Sequence, residues 1–322
     1  MVEHAPPAPD EAVRQVLRDL FDELAIGDVV RLTGGASRAT WRVAVGDETF
    51  VVQRQRPEAE RDMAVEAAVL RSAAAAGVPV PEVVAFRGPP DDDAGIATLV
   101  TRLVPGETIA RKILRDDRFA DARPRLAGQL GRALARLHDI DVDTVAGLEP
   151  VDALGEYRGR LDEIGEPHPA FELAFRWLDE HRPTPSERTC VVHGDYRMGN
   201  AIVDEHGLAA VIDWELAHVG DPMEDLAWMC VPAWRFGSPL PAAGLATRDE
   251  LFAAYAEESG VEVDRDVVRW WEVAGILRWG IICVMQAHVH RSGVMRSHEL
   301  AAIGRRVCET EHDLFLALEG RW

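Results

Sequence analysis

Four side chains between residues 190 and 220 have the types and spacing to do chemistry: His193, Asp195, Asn200 and Asp213. They flank three short apolar runs, Val191–Val192, Ala201–Val203 and Ala209–Ile212. Runs this short between turn residues read as buried strands, with Gly207 turning the second into the third. The polar groups then project from the ends of a small β platform. Phosphoryl transfer calls for this set. One carboxylate accepts or orients a hydroxyl proton, and an amide with a second carboxylate holds magnesium against nucleotide phosphates. Magnesium is a hard cation that takes oxygen ligands, which suits Asn200 and Asp213. Asp195 is then the candidate general base.

His193-Gly194-Asp195 followed by Asn200 keeps the Asp-to-Asn separation of the protein-kinase catalytic loop, with Gly where kinases carry Arg. Ile212-Asp213-Trp214 stands where kinases carry a magnesium-binding Asp, and Gly220-Asp221-Pro222 follows in order. On these motifs the chain resembles the aminoglycoside-phosphotransferase/choline-kinase family. It most resembles the branch with His-Gly-Asp-Tyr-Arg, Asp-Trp-Glu and Gly-Asp-Pro-x-x-Asp-Leu-Ala-Trp, known from phosphotransferase domains related to those fused to acyl-CoA dehydrogenases. The resemblance spans about the whole chain. It implies an α+β, two-lobed protein-kinase-like fold. Residues 1–103 would form a small antiparallel-sheet N-lobe with a Gly-rich loop and one helix. Residues 104–322 would form a larger, mainly helical C-lobe with catalytic loop, magnesium site and acceptor pocket. It also implies ATP and Mg2+ as cofactors, a small-molecule hydroxyl as acceptor, a bracing role for His193 and charge neutralisation by Arg197.

The elements that must position these groups follow from periodicity. Val29–Leu32 reads as a strand leading into Thr33–Thr40, where the Gly34 and Gly35 amides and the Ser37 hydroxyl would cradle phosphates. Trp41, Val43 and Val45 alternate out of that loop as a second strand, and Gly46-Asp47 turns the chain into Phe50–Arg54, where the resemblance places a lysine paired with a helix glutamate. The only lysine in the chain is Lys112, far along the sequence. Arg54 or Gln53 must substitute, and alternation points only one of them inward. Arg54 is preferred because a guanidinium is permanently charged and grips phosphate bidentately. Its expected partner is Glu66, on a helix over Glu60–Ala76 with Met63, Ala67, Leu70 and Ala74 inward. Thr101–Val104 would be the hinge, with the backbone of Thr101 and Leu103 at the adenine edge. Further helices are expected around Leu126–Leu137, Phe171–Leu178, Arg248–Glu258, Asp264–His290 and Leu300–Leu318, with Glu149–Pro169 loop-rich. Asp225 is placed to hydrogen-bond the catalytic loop. Nine tryptophans are enough to wall an apolar acceptor pocket, with Arg278 and His288 as candidates beside it.

Bulk properties bound the rest. The 322 residues are 47% apolar and 28% charged, as in an ordinary globular protein. A net charge of −20 disfavours nucleic acid and anionic membranes as partners. No signal peptide and no apolar run of about 18 residues is visible, and four cysteines sit among apolar residues as expected of buried thiols in a reducing cytoplasm. A monomer or homodimer is expected. The missing strand lysine motivates a rival, a nucleotide-binding pseudokinase. A second rival is a metal-dependent hydrolase using His193, Asp195, Asp213 and a downstream His.

Overall fold

Val13, Val16 and Leu17 recur at three and four residues and give α1 (Pro9–Leu20) a buried stripe. That stripe covers one face of a five-stranded antiparallel sheet. In this computed structural model the described residues are 9–21, 25–32, 38–55, 62–88, 96–184 and 188–321. The strands are β1 (Ile26–Leu32), β2 (Arg38–Val45), β3 (Glu48–Gln55), β4 (Val83–Arg87) and β5 (Thr98–Arg102), in the order β1-β2-β3-β5-β4. Alternation sorts their side chains. Trp41, Val43, Val45, Phe50, Val52 and Val100 meet Val13 and Leu17 on one face. Leu99, on the other face, joins Met63, Ala67 and Leu70 of α2 (Met63–Ala75) in the main core. Ala73, not Ala74, completes that helix's inward row. Asp62 caps α2 through its side chain on the Ala64 amide.

The rest is mainly helical, as the sequence implies. It comprises α3 (Ala110–Arg115), α4 (Arg123–His138), α5 (Ala153–Ile164), α6 (Pro169–Glu180), α7 (Pro222–Cys230), α8 (Arg248–Ser259), α9 (Arg265–Ser292), α10 (His298–Gly304) and α11 (Val307–Leu318). Leu126, Leu130, Leu134 and Leu137 seat α4 in the core. The 28-residue α9 packs against α5, α6, α7, α10 and α11 around a second core of Phe171, Trp228, Trp270 and Leu277. Between the helices lie β6 (Cys190–Val192), β7 (Ala201–Asp204), β8 (Gly207–Val211) and β9 (His218–Gly220).

Several expectations need correcting. The segment Glu149–Pro169 is not mostly loop. It holds α5, started by Asp152 on the Gly155 amide and stopped by Gly165 at φ 70°. Its internal glycines hide that helix from a propensity reading. The C-terminal helix is two helices, parted at Arg305–Arg306. The small platform is two separate antiparallel ribbons, β6–β9 and β7–β8. Cys190, Cys230 and Cys283 are buried, but Cys308 is exposed, on the outer side of α11. Among the described residues no helix is long and apolar enough to cross a membrane.

The contact between α4 and α8 sets a prediction. A Cβ on Gly131 would lie 2.9 Å from the Leu251 carbonyl oxygen and 3.3 Å from the Ala254 Cβ. Gly→Ala ordinarily strengthens a helix interior. Here overpacking wins, and Gly131→Ala should destabilise the protein by about 1–3 kcal/mol in urea unfolding. An unchanged or raised midpoint would contradict this packing.

Candidate active site

The hairpin β7–β8 pairs Ala201 with Val211, and one step outward the Ile212 amide donates to the Asn200 carbonyl at 2.9 Å. Asn200 and Asp213 therefore emerge side by side from one ribbon end. Asp213 sits at φ 68°, a left-handed conformation uncommon outside glycine and found where surrounding structure holds a side chain in a set direction. Asn200 uses its amide nitrogen twice, on the Asp195 carbonyl at 2.9 Å and on Asp195 Oδ2 at 2.6 Å. That fixes the amide orientation and leaves Asn200 Oδ1 as the atom for a ligand.

Asp195 is ringed by donors. Trp228 Nε1 donates to Oδ1 at 2.7 Å, and Arg197 Nε is shared between the two oxygens at 3.0 and 3.1 Å. The Arg197 guanidinium lies 4.7 Å from the centre of the Trp234 ring. It also runs so close over Gly199 that a Cβ there would collide with it.

The turn carrying Asp195 is clamped from behind. The Asp225 carboxylate, fully buried, accepts from the His193 amide at 2.7 Å and the Gly194 amide at 3.0 Å, and His138 Nε2 lies 3.3 Å from it. Gly194 takes φ 78° and passes so close to the Leu216 carbonyl that no side chain fits. His193 Nδ1 accepts from the Asp195 amide at 3.1 Å, so Nε2 carries the hydrogen and donates to the Ile212 carbonyl at 3.1 Å. Burial lowers its pKa and keeps it neutral, in agreement with that tautomer. His193 thus ties the catalytic turn to the strand before Asp213. With both ring nitrogens engaged it is not offered to a metal, and the hydrolase reading loses His193. Tyr196 anchors the same turn to α4 through the Leu130 carbonyl at 2.9 Å. Asp221 caps α7 on the Met223 amide.

The carboxyl of Asp213 is pushed up to about 6 by burial and by the nearby charges of Glu215 and Asp195, with Arg38 opposing. The oxygens of Asn200 and Asp213 are hard donors of the kind magnesium takes, and the raised pKa of Asp213 marks a position that gains from a cation.

The remaining expected site residues fall as follows. Gly34, Gly35 and Ser37 lie outside the described residues. The expected pairing of Arg54 with Glu66 is not what forms. Glu66, buried on α2, is bound by Arg38, with Nη1 2.6 Å from Oε1 and 2.5 Å from Oε2. Arg38 Nη2 also donates to Glu215 Oε2 at 3.1 Å. The register explains it. Arg54 pairs with Ala39 and Thr98, in line with Phe50 and Val52 on the α1 face, whereas Gln53 pairs with Thr40 and Leu99 on the α2 face. Thr101 is buried within β5, and its backbone is flanked by β3 and β4, so its side chain rather than its backbone faces the cleft. The Leu103 amide donates to the Thr49 carbonyl at 2.9 Å. His288 is exposed on α9. Arg278 is buried close to the catalytic turn, donating to the Tyr157 hydroxyl at 3.1 Å and lying 4.3 Å from the Trp228 ring centre.

Sequence reasoning missed Arg38, Glu215 and the indole of Trp228 as members of this cluster. It also missed His218, whose Nδ1 faces the Leu216 carbonyl at 2.9 Å and whose Nε2 faces Glu224 at 3.1 Å. Burial opposes a charge on His218, but the bond to Glu224 prevails and raises its pKa. A signal for Trp228 existed: it follows Asp225 by three positions, so both lie on the α7 face turned to the catalytic loop.

Comparison with known proteins fits this geometry. The model of a family described as "Phosphotransferase enzyme family" matches residues 28–271. Acyl-CoA dehydrogenase family member 10 of Mus musculus is 26% identical over 288 residues, which cover 79% of this chain and 26% of that protein. The chain thus spans about a quarter of that relative's length. A Ralstonia eutropha protein, solved as a candidate aminoglycoside phosphotransferase, superposes with a TM-score of 0.76 at 21% identity, covering 97% of this chain and 98% of that one. Spectinomycin phosphotransferase, solved with ADP and spectinomycin, gives 0.70 at 12% identity over 97% and 99%. At these identities the two structures establish the two-lobed kinase-like fold.

The clamp behind the turn predicts a stability effect. Replacing Asp225 by Asn leaves one of two backbone amides facing an NH2 group, at a cost of about 1–3 kcal/mol. Burial raises the Asp225 pKa, but the bonds from His138 and the His193 amide outweigh it and hold the carboxyl below its usual range. A depressed folded-state pKa stabilises above the unfolded value of ~3.9 and loses that contribution as pH falls through the folded value. Asp225→Asn should therefore melt lower at pH 7 and show a shallower loss of stability on acidification. Parallel acid profiles for the two proteins would count against the clamp.

Proposed function

Because the chain belongs to the phosphotransferase enzyme family, we propose that it moves the γ-phosphate of ATP to a hydroxyl of a small molecule. The observation that carries this reading is the convergence of Asp195, Asn200 and Asp213. Asn200 is bonded at once to the Asp195 carboxylate and, through its backbone, to the residue before Asp213.

Asn200 Oδ1 and Asp213 would hold magnesium, which supplies charge neutralisation of the nucleotide phosphates. Asp195 receives the acceptor hydroxyl and takes its proton as the oxygen attacks phosphorus. Trp228 and Asn200 hold the Asp195 carboxylate in direction. Arg197 brings positive charge to the side where the phosphoryl group passes. His193, neutral and fully bonded, fixes the turn without exchanging a proton. From the sequence reading, the Gly34–Gly35 backbone and Ser37 would cover the phosphates, and Thr101 and Leu103 would border the base. Positioning and charge neutralisation supply most of the rate in a loose phosphoryl transition state. Trp228, Trp234 and Trp279 stack edge to face at 5.2 and 4.8 Å beside Asp195, and an alcohol with an apolar portion would suit that side of the base.

ADP release measured against a panel of hydroxylated metabolites tests the reading. Asp195→Asn should lower kcat about 10²–10⁴-fold with little change in the KM for ATP. If no alcohol raises ADP release above the Asp195→Asn blank, the chain is a nucleotide-binding module instead.

Asp213 gives a second expectation. Binding a cation requires its carboxylate, which is half protonated near pH 6. Magnesium affinity, measured by calorimetric titration, should fall about tenfold per pH unit below that value and level off above it. A flat profile from pH 5 to 8 would remove Asp213 from the metal site.

A further inference from the structure

The role left vacant by the absent strand lysine can be placed. A cation that grips the α- and β-phosphates must stand on the cleft face of the N-lobe sheet, opposite the α2 glutamate. Lys112 cannot serve, because it is exposed on α3 and paired with Glu107 at 2.9 Å. Arg54 lies on the α1 face. Gln53 lies on the cleft face but carries no charge. Arg38 shares that face, paired with Gln55 one two-residue step from Gln53. It is nearly buried, and it is already chelated by Glu66.

We infer that Arg38, at the head of β2, is the phosphate-gripping cation of the nucleotide site, one strand across from the missing lysine. The inference rests on the phosphotransferase reading and extends it to a residue that no motif marks. Two features support the assignment beyond position. Arg38 divides its donors between Glu66 on α2 and Glu215, two residues past Asp213. Glu66 fixes the guanidinium, as a helix glutamate fixes the strand lysine in kinases. Glu215 occupies the second amino group, near the Asp213 carboxylate that would hold the metal. A polyphosphate can replace Glu215 on that group without disturbing Glu66, since a guanidinium presents five donors in a fixed fork.

The test uses the full chain and direct titration with a fluorescent ATP analogue plus magnesium, which needs no acceptor. Arg38→Gln should weaken binding about 10- to 100-fold, the loss of one charge-assisted bond pair. Arg38→Lys should fall between that and the parent. Gln53→Lys added to Arg38→Gln should recover most of the affinity, because it returns a cation to the same face. Glu215→Gln should tighten binding severalfold by removing the competing carboxylate. A merely structural Arg38 predicts neither the rescue nor the tightening. Arg38→Gln strands a buried Glu66, so the double variant Arg38→Gln/Glu66→Gln, checked by circular dichroism, separates loss of fold from loss of grip. Folded double variant with parental affinity would overturn the assignment. So would a loss of affinity in Arg54→Gln that Arg38→Gln does not share. A parent chain that binds no nucleotide would overturn both this inference and the phosphotransferase reading, whereas binding unaffected by Arg38→Gln would overturn this one alone.

Discussion

The catalytic turn exists because one buried carboxylate satisfies two consecutive backbone amides. His193 and Gly194 point their N–H groups into the protein, away from any strand partner, and Asp225 receives both. An unpaired buried amide costs about 1–3 kcal/mol, so without Asp225 the turn would relax toward solvent. Gly194 supplies the left-handed φ that the reversal requires, and the Leu216 carbonyl behind it excludes any Cβ. With these two conditions met, the next residue, Asp195, has one direction available. Neutral His193 carries the constraint across to Ile212, so the bases of both carboxylates, Asp195 and Asp213, are set by a single hydrogen-bonded frame.

That frame builds an electrostatic imbalance at its open end. Glu66, Asp213 and Glu215 converge on one guanidinium, that of Arg38, as buried or partly buried acids. Burial first, and then the nearby charges of Glu215 and Asp195, raise the pKa of Asp213 against the pull of Arg38. The effect is local and cannot be attributed to the net charge of the chain, since exposed charges more than about 8–10 Å away are screened by salt. In the proposed reaction a site rich in acid and hard oxygen donors would be completed by a cation, which would then draw the polyphosphate that the same acids otherwise repel.

Much of this was legible in the sequence, and the part that was not has a definite physical character. His193, Asp195, Asn200 and Asp213 stand out because their positions are fixed by short-range pattern: apolar runs of two to four residues with polar groups at their ends. The fold followed from the same motif by resemblance. Arg38 was invisible for the opposite reason. Its role depends on which residue of β2 lies across from which residue of β3, and a one-residue shift of register moves every side chain to the other face. Alternation along β3 alone leaves Gln53 and Arg54 undecided, and the cation that binds Glu66 stands on β2 instead. α5 was missed because Gly155 and Gly159 lower its propensity while Asp152 and Gly165, its cap and its stop, lie at its ends. Trp228 read as core, which it also is, because nothing in an apolar spacing shows that an indole N–H ends at a carboxylate.

The donors on Asp195 are not equivalent, and their inequality orders events at the site. A carboxylate offers about four lone-pair positions, and here the contacts from Trp228, Asn200 and the shared Arg197 N–H take them all. An acceptor hydroxyl cannot be received until one donor leaves. Asn200 and Trp228 are buried, whereas the Arg197 side chain keeps a quarter of its surface in solvent, at 25%, and lies on the face of Trp234. In the proposed reaction Arg197 would therefore be the donor that yields. Its departure costs a partly solvated ion pair, worth about 1 kcal/mol or less at that exposure. Losing either of the others would strand a buried polar group. In the proposed reaction the base is thus exposed by the approach of the acceptor itself. The displaced guanidinium remains beside the position where charge develops during transfer.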